Sequence, residues 1–228
     1  MPARLRPKGP LAAAAILVGD PGRSLLLAQE LLAEPKMSNH ARGLWGYSGR
    51  TGSGGELTIQ ATGMGGPSAA LVLADLAELG VRRAVRVGTC ASFAERARLG
   101  ELLLPAEAVA TGGSAASFGL DPGAAVLPDP ELLERLRSEL AGESRDAEVA
   151  SLDTMPAAAA AVPSGVVATD MQTVAVLARG RELGLAMAAV LIVSEGNGET
   201  LPDEALESTA IRAGHAAAQA LSNPQVEG

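Results

Sequence analysis

Glycine, arginine and threonine residues follow two of the apolar runs that the sequence predicts to be strands. Gly19 and Arg23 come directly after the first run, and Arg86 and Thr89 bracket the end of a later one. Open α/β sheets place their ligands at the carboxyl ends of their strands. Guanidinium groups, backbone amides and a hydroxyl group together suit a phosphate group. The spacing therefore predicts an anion site, and Arg42, in a separate polar loop, is a further candidate for it.

The glycine-rich segment that contains Gly63 and Gly65 does not complete a dinucleotide fingerprint. Ser68 stands at the position of the third glycine, and Arg86 stands where an acidic residue would bind the ribose. The sequence has no Walker A motif, and Ser68 is not in a Gly-x-Ser-x-Gly nucleophile elbow. Anion binding at the strand ends remains, and no cofactor is expected.

The histidines and the single cysteine do not predict a metal site. His40 and His215 are far apart and lack the spacing of metal ligands. The single cysteine, Cys90, excludes an internal disulfide and a cysteine-based zinc cluster. Cys90 follows a predicted strand end, where a small buried residue is favoured over a reactive thiol. No metal is therefore expected.

The composition argues against several classes of partner. The 228 residues are 47% hydrophobic and only 2% aromatic, with a net charge of −8, which predicts one domain over residues 1–228. Proteins that bind nucleic acid or anionic membranes normally present basic surfaces or stacking aromatic rings, so neither partner is expected. The apolar run Leu11–Val18 continues into Gly19-Asp20-Pro21 without a cleavage pattern. We interpret it as a buried strand of a cytoplasmic protein.

Apolar runs and helical periodicities alternate along the chain, which predicts an α/β sheet with helices on both faces. The predicted strands are Ala14–Val18, Trp45–Thr51, Glu56–Ala61, Arg83–Val87, Leu102–Pro105, Ala106–Ala110, Glu148–Ser151, Val166–Ala168 and Ala188–Ser194. The predicted helices are Ser24–Leu32, Ala69–Leu79, a helix capped by Asp129 that runs to Leu140, Gln172–Leu183 and Glu204–Leu221. Ala157–Ala161 is low-complexity, and a helical turn and a loop both remain open there.

Four motifs occur in the order found in the hexameric nucleoside phosphorylases, and the chain resembles this family over roughly residues 16–221. The motifs are Gly19-Asp20-Pro21-Gly22-Arg23, Arg42-Gly43, Gly63-Met64-Gly65-Gly66-Pro67-Ser68 and Arg86-Val87-Gly88-Thr89. The family comprises the bacterial uridine phosphorylases and purine nucleoside phosphorylases. Two segments, 150–155 and 192–202, look closer to the uridine branch.

The resemblance implies a three-layer α/β/α fold around a mixed, partly barrel-like sheet, with dimers assembled into a hexamer. It also implies that a nucleoside and phosphate, the co-substrate, give a free base and ribose 1-phosphate. By the family's motifs, Gly19, Arg23, Arg86 and Thr89 hold phosphate, and Arg42 reaches into a neighbouring subunit's site. Arg86 and Thr89 would act in catalysis, because phosphate held beneath the anomeric carbon offsets the charge that develops on the ribose.

The nucleoside half of the site departs from the family's pattern. The Glu-Met-Glu motif reads Asp170-Met171-Gln172, in which Met171 would lie against the ribose and Gln172 would accept hydrogen bonds from its hydroxyls more weakly than a glutamate. Met155 stands where an aromatic ring stacks on the base. With Thr89, these residues are the candidate nucleoside contacts.

Residues that read the base are altered as well. Ala157–Ala161 replaces the Gln and Arg with which uridine phosphorylases read uracil, so we expect weak or absent activity on uridine. Glu195 matches the acid of the purine enzymes and could protonate a purine nitrogen if the pocket buries it. The family's N-terminal histidine is absent, and Gly43 replaces the glutamate of a potassium site, so that ion is not expected.

Three functions remain open at this point. A phosphorylase acting on a nucleoside or related ribosyl compound is the leading interpretation. A nucleosidase that uses water is disfavoured, because Arg23, Arg42 and Arg86 would be cations in need of anionic partners. A non-catalytic relative that binds a phosphate-bearing ligand is favoured by the altered base contacts.

Overall fold

The structure is a computed structural model that describes residues 4–155 and 162–222. The strands are β1 (Ala14–Val18), β2 (Leu32–Asn39), β3 (Gly46–Thr51), β4 (Glu56–Ala61), β5 (Arg83–Ser92), β6 (Leu102–Ala110), β7 (Ala125–Val126), β8 (Ser144–Ser151), β9 (Ala168–Asp170), β10 (Ala186–Gly196) and β11 (Glu199–Thr200). The helices are α1 (Pro21–Leu31), α2 (Gly66–Glu78), α3 (Gly113–Ala116), α4 (Pro130–Glu139), α5 (Thr173–Glu182) and α6 (Asp203–Leu221), with a 3₁₀ turn at Ala41–Gly43. No helix in these two ranges is long and apolar enough to cross a membrane.

The strands join one mixed sheet, and part of it closes into a barrel. β10 pairs in parallel with β5 and antiparallel with β6. β6 pairs with β8, β8 with β9, and β9 pairs back with β5. These five strands therefore form a closed ring. From β5 the sheet continues as an open wing in the order β1, β4, β3, β2. The expected mixed and partly barrel-like sheet is confirmed.

Side-chain alternation along β1 separates two apolar cores. Ala14, Ile16 and Val18 pack in the core that α1, α4 and α6 cover. Ala15 and Leu17 pack in the core that α2 and α5 cover. All five residues are buried, as expected for a strand with helices on both faces. The three-layer α/β/α arrangement is therefore confirmed.

Helix α1 begins earlier than its predicted start at Ser24. The carboxylate of Asp20 accepts hydrogen bonds from the backbone amides of Gly22, at 3.2 Å, and Arg23, at 2.9 Å. Pro21 occupies the start of the helix, where a missing amide proton costs no hydrogen bond. The cap places Arg23 in the first turn of α1, immediately after β1.

Two prolines lie inside strands, where the sequence predictions were wrong. The sequence predicts two strands that meet at Pro105, but the structure has one strand, β6, that runs through it. The register with β8 shifts between Pro105 and Glu107, and this bulge accommodates the missing amide proton of proline. β2 is not predicted at all and contains Pro35. It is the outermost strand of the wing, and its pairing with β3 shifts between Ala33 and Lys36. Edge strands and bulges tolerate proline.

Two other strand boundaries differ because of long-range pairing. β5 extends to Ser92, beyond its predicted end at Val87, and β9 ends at Asp170 instead of Ala168. Ala91 and Ser92 pair with β9, and this pairing closes the ring. The hydrophobic pattern within either segment cannot predict a pairing between segments so far apart in the sequence.

We expect the substitution Gly180→Ala to destabilise the fold. Alanine normally stabilises a helix interior by about 1 kcal/mol relative to glycine. A Cβ at position 180 would, however, lie 2.1 Å from Cγ of Met187, which forces α5 away from the sheet. The free energy of unfolding should fall by about 1–3 kcal/mol in a urea titration. Gly52→Ala is the control, because nothing lies within 4 Å of its Cβ. Equal stability of the two variants would contradict this packing.

Candidate active site

A cavity of about 580 Å³ opens beside the ends of β1 and β9 and the starts of α1 and α5. Every predicted site residue except Arg42 lines it: Gly19, Arg23, Arg86, Thr89, Met155, Asp170, Met171, Gln172 and Glu195. The sheet therefore brings together residues that lie far apart in the sequence.

A buried ion pair forms the floor of this cavity. Arg86 Nη2 donates to Asp170 Oδ2 at 3.0 Å, and the side chain of Asp170 is fully buried. The same carboxylate accepts from Ser151 Oγ at 2.5 Å and from the backbone amide and hydroxyl of Thr173. Asp170 is a candidate nucleoside contact, but its carboxylate is turned toward Arg86 and already accepts hydrogen bonds from Arg86, Ser151 and Thr173.

Gly88 makes the position of the Arg86 guanidinium possible. A Cβ at Gly88 would lie 2.5 Å from Cζ of Arg86 and 2.6 Å from Nη2. The guanidinium therefore folds back over its own strand, across a residue that has no side chain. Sequence reasoning missed Gly88, as well as Ser151 and Thr173, although all three adjoin or lie within the motifs that pointed to the site.

Arg23 supplies a second positive charge to the cavity. Burial lowers its pKa, Asp20 opposes that shift, and the nearby charge of Arg86 lowers the pKa further. No carboxylate in residues 4–155 and 162–222 forms an ion pair with Arg23. Two arginines that repel each other thus face one cavity, and an anion bound between them would relieve the repulsion.

Two small residues complete the polar side of the cavity. Gly19 follows β1, and a Cβ there would lie 3.6 Å from the Gly63 carbonyl oxygen. Thr89 is half-buried in β5. The Thr89 hydroxyl forms no hydrogen bond to the described part of the chain. It is thus available to a ligand beside Arg23 and Arg86.

Methionine side chains form the apolar side of the cavity. Met155 and Met171 line it, and Met64 is 87% exposed at its edge. The hydroxyl of Thr169 contacts Met155 Sδ at 3.7 Å. The candidate uracil-reading segment Ala157–Ala161 lies outside the described residues.

Asp153 anchors the chain just before Met155. Its carboxylate accepts from Ser114 Oγ and the backbone amide of Gly113, both at 2.5 Å, and from the amide of Ser114 at 3.3 Å. The Ser114 hydroxyl is the main cause of a lowered pKa for Asp153, against the opposing effect of burial, and the two backbone amides add to it. A Cβ at Gly112 would clash with this carboxylate at 2.7 Å. Sequence reasoning did not single out this anchor.

The remaining candidates differ in their placement. Glu195 lines the cavity but is exposed, so the burial that its proposed acid role requires is absent. Arg42 is exposed, outside the cavity lining, and held at φ 59° in the 3₁₀ turn. Cys90 is buried and burial raises the pKa of its thiol, as the inert interpretation expects. His40 and His215 do not line the cavity.

Comparison with protein families matches residues 13–223 to the phosphorylase superfamily. The chain belongs to the phosphorylase superfamily. That match covers most of the chain and includes the residues of the cavity.

Among the residues that the structure describes, no group of three or more histidine, cysteine, aspartate or glutamate side chains could hold a metal ion.

Several curated relatives of this phosphorylase superfamily chain carry the name purine nucleoside phosphorylase DeoD-type. The protein from Clostridium beijerinckii is 34% identical over 99 residues, which is 43% of this chain and 41% of the relative. The one from Oceanobacillus iheyensis is 36% identical over 98 residues, 42% and 41% of the two chains. The one from Streptococcus pneumoniae is 36% identical over 105 residues, 46% and 44% of the two chains. The matched part thus spans less than half the length of these relatives.

We expect Arg23→Ala to lower the affinity for inorganic phosphate at least tenfold, about 1.4 kcal/mol, in isothermal titration calorimetry. The reason is that Arg23 has no ionic partner among the described residues and faces the cavity. The control is Arg181→Ala, which removes an exposed arginine in α5. Arg86→Ala should weaken phosphate binding too, but it also strands Asp170 and should destabilise the fold by about 3–5 kcal/mol. Unchanged phosphate affinity in Arg23→Ala would contradict the assignment of Arg23 to phosphate binding.

Asp153→Asn should reduce thermal stability in a pH-dependent way. The pKa of Asp153 is lower in the folded chain than its ordinary value of 3.8, so its contribution is present above that pH and is lost as the pH falls through the folded pKa. We therefore expect a lower Tm than wild type at neutral pH and a difference that shrinks in acid. The control is exposed Asp121→Asn. A difference that is constant with pH would contradict the anchor.

Proposed function

We propose that this chain is a nucleoside phosphorylase, which cleaves the N-glycosidic bond of nucleosides with inorganic phosphate to give a free base and ribose or deoxyribose 1-phosphate. The observation that carries the proposal is the pair of arginines, Arg23 and Arg86, at one cavity. Arg86 forms an ion pair with Asp170, whereas Arg23 forms no ion pair among the described residues and has only the nearby charge of Asp20. A phosphate dianion is the ligand that best balances this arrangement, and membership of the phosphorylase superfamily supports it.

The chemistry that this site would perform is a displacement at the anomeric carbon. A phosphate oxygen forms a bond to C1′, the bond from C1′ to the base nitrogen breaks, and its electron pair leaves with the base, which takes up a proton. Positive charge develops on the sugar ring during this step. Phosphate held by Arg23, Arg86 and Thr89 stabilises that charge and is oriented for attack, so the arginines need no proton chemistry.

Purine nucleosides are the proposed substrates. The curated relatives are named purine nucleoside phosphorylases, which supports this choice over uridine. Met155 offers an apolar surface to a flat base, and Ala157–Ala161 carries no polar side chain to satisfy the uracil carbonyls. The carboxylate of Glu195 lines the same cavity, where it would lie beside the base, although its exposure does not favour the acid role expected from the sequence.

A non-catalytic phosphate-binding protein is the second candidate. Two observations favour it: Glu195 is exposed, and the carboxylate of Asp170 is engaged within the protein. The first leaves the candidate acid without the burial that its role requires, and the second removes a polar group that a nucleoside could use. The phosphate half of the cavity is the same in the two candidates, so only turnover distinguishes them.

We further propose that the chain forms a homo-oligomer built from dimers, in the form of a hexamer. Arg42 supports this, because it is exposed, lies outside its own subunit's cavity and sits in a backbone conformation that costs energy for a non-glycine residue. A neighbour's site is where such a side chain would be useful. The cytoplasmic location expected from the sequence stays a prediction.

Base release from inosine, guanosine, adenosine and uridine, with and without phosphate, tests the proposal. We expect purine nucleosides to be cleaved only when phosphate is present, and uridine at least tenfold more slowly, because its polar groups find no side-chain partners. Arg23→Ala should lose most of the activity and Arg181→Ala should keep it. Cleavage without phosphate would indicate a nucleosidase, efficient uridine cleavage would refute the purine preference, and phosphate binding without any cleavage would favour the binding protein.

A further inference from the structure

The amide group of Gln172 is engaged within the protein at both ends. Nε2 donates to the carbonyl of Gly63 at 2.5 Å and to that of Gly65 at 3.2 Å. Oε1 accepts from Arg86 Nη1 at 2.7 Å, and Thr62 Oγ1 lies 3.4 Å from it. A primary amide has two donor protons and two acceptor lone pairs. Both protons are therefore in use, and Arg86 and Thr62 occupy the space around the oxygen.

These contacts join three parts of the cavity wall. Gly63 and Gly65 both have positive φ, 72° and 82°, so the loop between β4 and α2 is held in a left-handed conformation with these carbonyls directed at Gln172. Gln172 itself precedes the first residue of α5 and is 3% exposed. Its side chain thus connects this loop to the Arg86 guanidinium, opposite the ion pair with Asp170.

A glutamate could not make the same set of contacts. Its ionised carboxylate has no donor proton, so an oxygen would face the carbonyls of Gly63 and Gly65 where Nε2 now donates. Oxygen atoms that face each other without a proton repel, and unpaired buried acceptors cost free energy. The neutral amide at position 172 is therefore matched to this loop and is not a weakened version of a carboxylate.

We propose that Gln172 is a positioning residue, which locks the Gly63–Gly65 loop against Arg86 and orients the guanidinium for an anion, and that it does not read the sugar hydroxyls. The positioning part stands on geometry alone, whereas the statement about the sugar rests on the proposed function. Under the opposite hypothesis, in which Oε1 accepts from a sugar hydroxyl, a charged acceptor at position 172 would strengthen sugar binding.

Calorimetry with inorganic phosphate tests the positioning role. We expect Gln172→Leu and Gln172→Glu both to lower phosphate affinity at least tenfold, because Arg86 loses its second fixed partner in the first and the loop is repelled in the second. Gln219→Glu is the matched control, since Gln219 is exposed in α6 and its charge change should have no such effect. Wild-type phosphate affinity in Gln172→Leu would overturn the proposal while leaving the phosphorylase function intact. A wild-type protein that binds no phosphate would overturn both.

Substrate kinetics with paired nucleosides test the sugar statement. We expect kcat/KM of Gln172→Glu to fall by the same factor, within threefold, for a purine riboside and for its 2′-deoxyriboside. A fall that differs by more than threefold between the two sugars, or a gain that is confined to the riboside, would show that residue 172 reads the 2′-hydroxyl and would overturn the proposal. If no nucleoside is cleaved but both Gln172 variants lose phosphate, the proposed function fails and the positioning role stands.

Discussion

A buried guanidinium needs a counter-charge, and the buried ion pair between Arg86 and Asp170 supplies it. Breaking such a pair costs about 3–5 kcal/mol, because the remaining charge stays buried without a partner. Asp170 is itself held by Ser151 and Thr173, and Gly88 leaves room for the guanidinium. The cavity, its electrostatics and the start of α5 are therefore organised around this one interaction.

The closed part of the sheet is what permits this ion pair. Arg86 lies on β5 and Asp170 ends β9, and the two strands meet only because the ring from β5 through β10, β6 and β8 returns to β5. An open sheet in chain order would leave these residues apart. β5 has three neighbouring strands and so carries both the barrel and the wing. The strand pairings that close the sheet are thus the same ones that bring Arg86 and Asp170 together.

Charge balance distinguishes the two arginines of the cavity. The charge of Arg86 is balanced inside the protein by Asp170. Because Asp170 and Gln172 both hold its guanidinium, Arg86 would orient an anion in the cavity. Arg23 is not neutralised by an ion pair in the described chain, and burial together with Arg86 lowers its pKa. Arg86 is thus fixed by an ion pair within the protein, whereas Arg23 is free to form an ion pair with a bound anion. This division would preorganise the cavity for the phosphate that the proposed function requires.

The sequence by itself determined the α/β class, most helices and strands, and the strand-end candidates Gly19, Arg23, Arg86 and Thr89. Apolar periodicity, strand-end glycines and arginines, and a cap such as Asp129 are local signals. The resemblance to the family added the nucleoside candidates, and all the candidate residues except Arg42 line one cavity. Only the tertiary structure decided what each side chain contacts. Whether Asp170 faces a sugar or Arg86, and whether Glu195 is buried, depends on strand pairings between distant segments, such as β5 with β9. Such pairings, like the passage of β6 through Pro105, leave no periodic trace in the sequence.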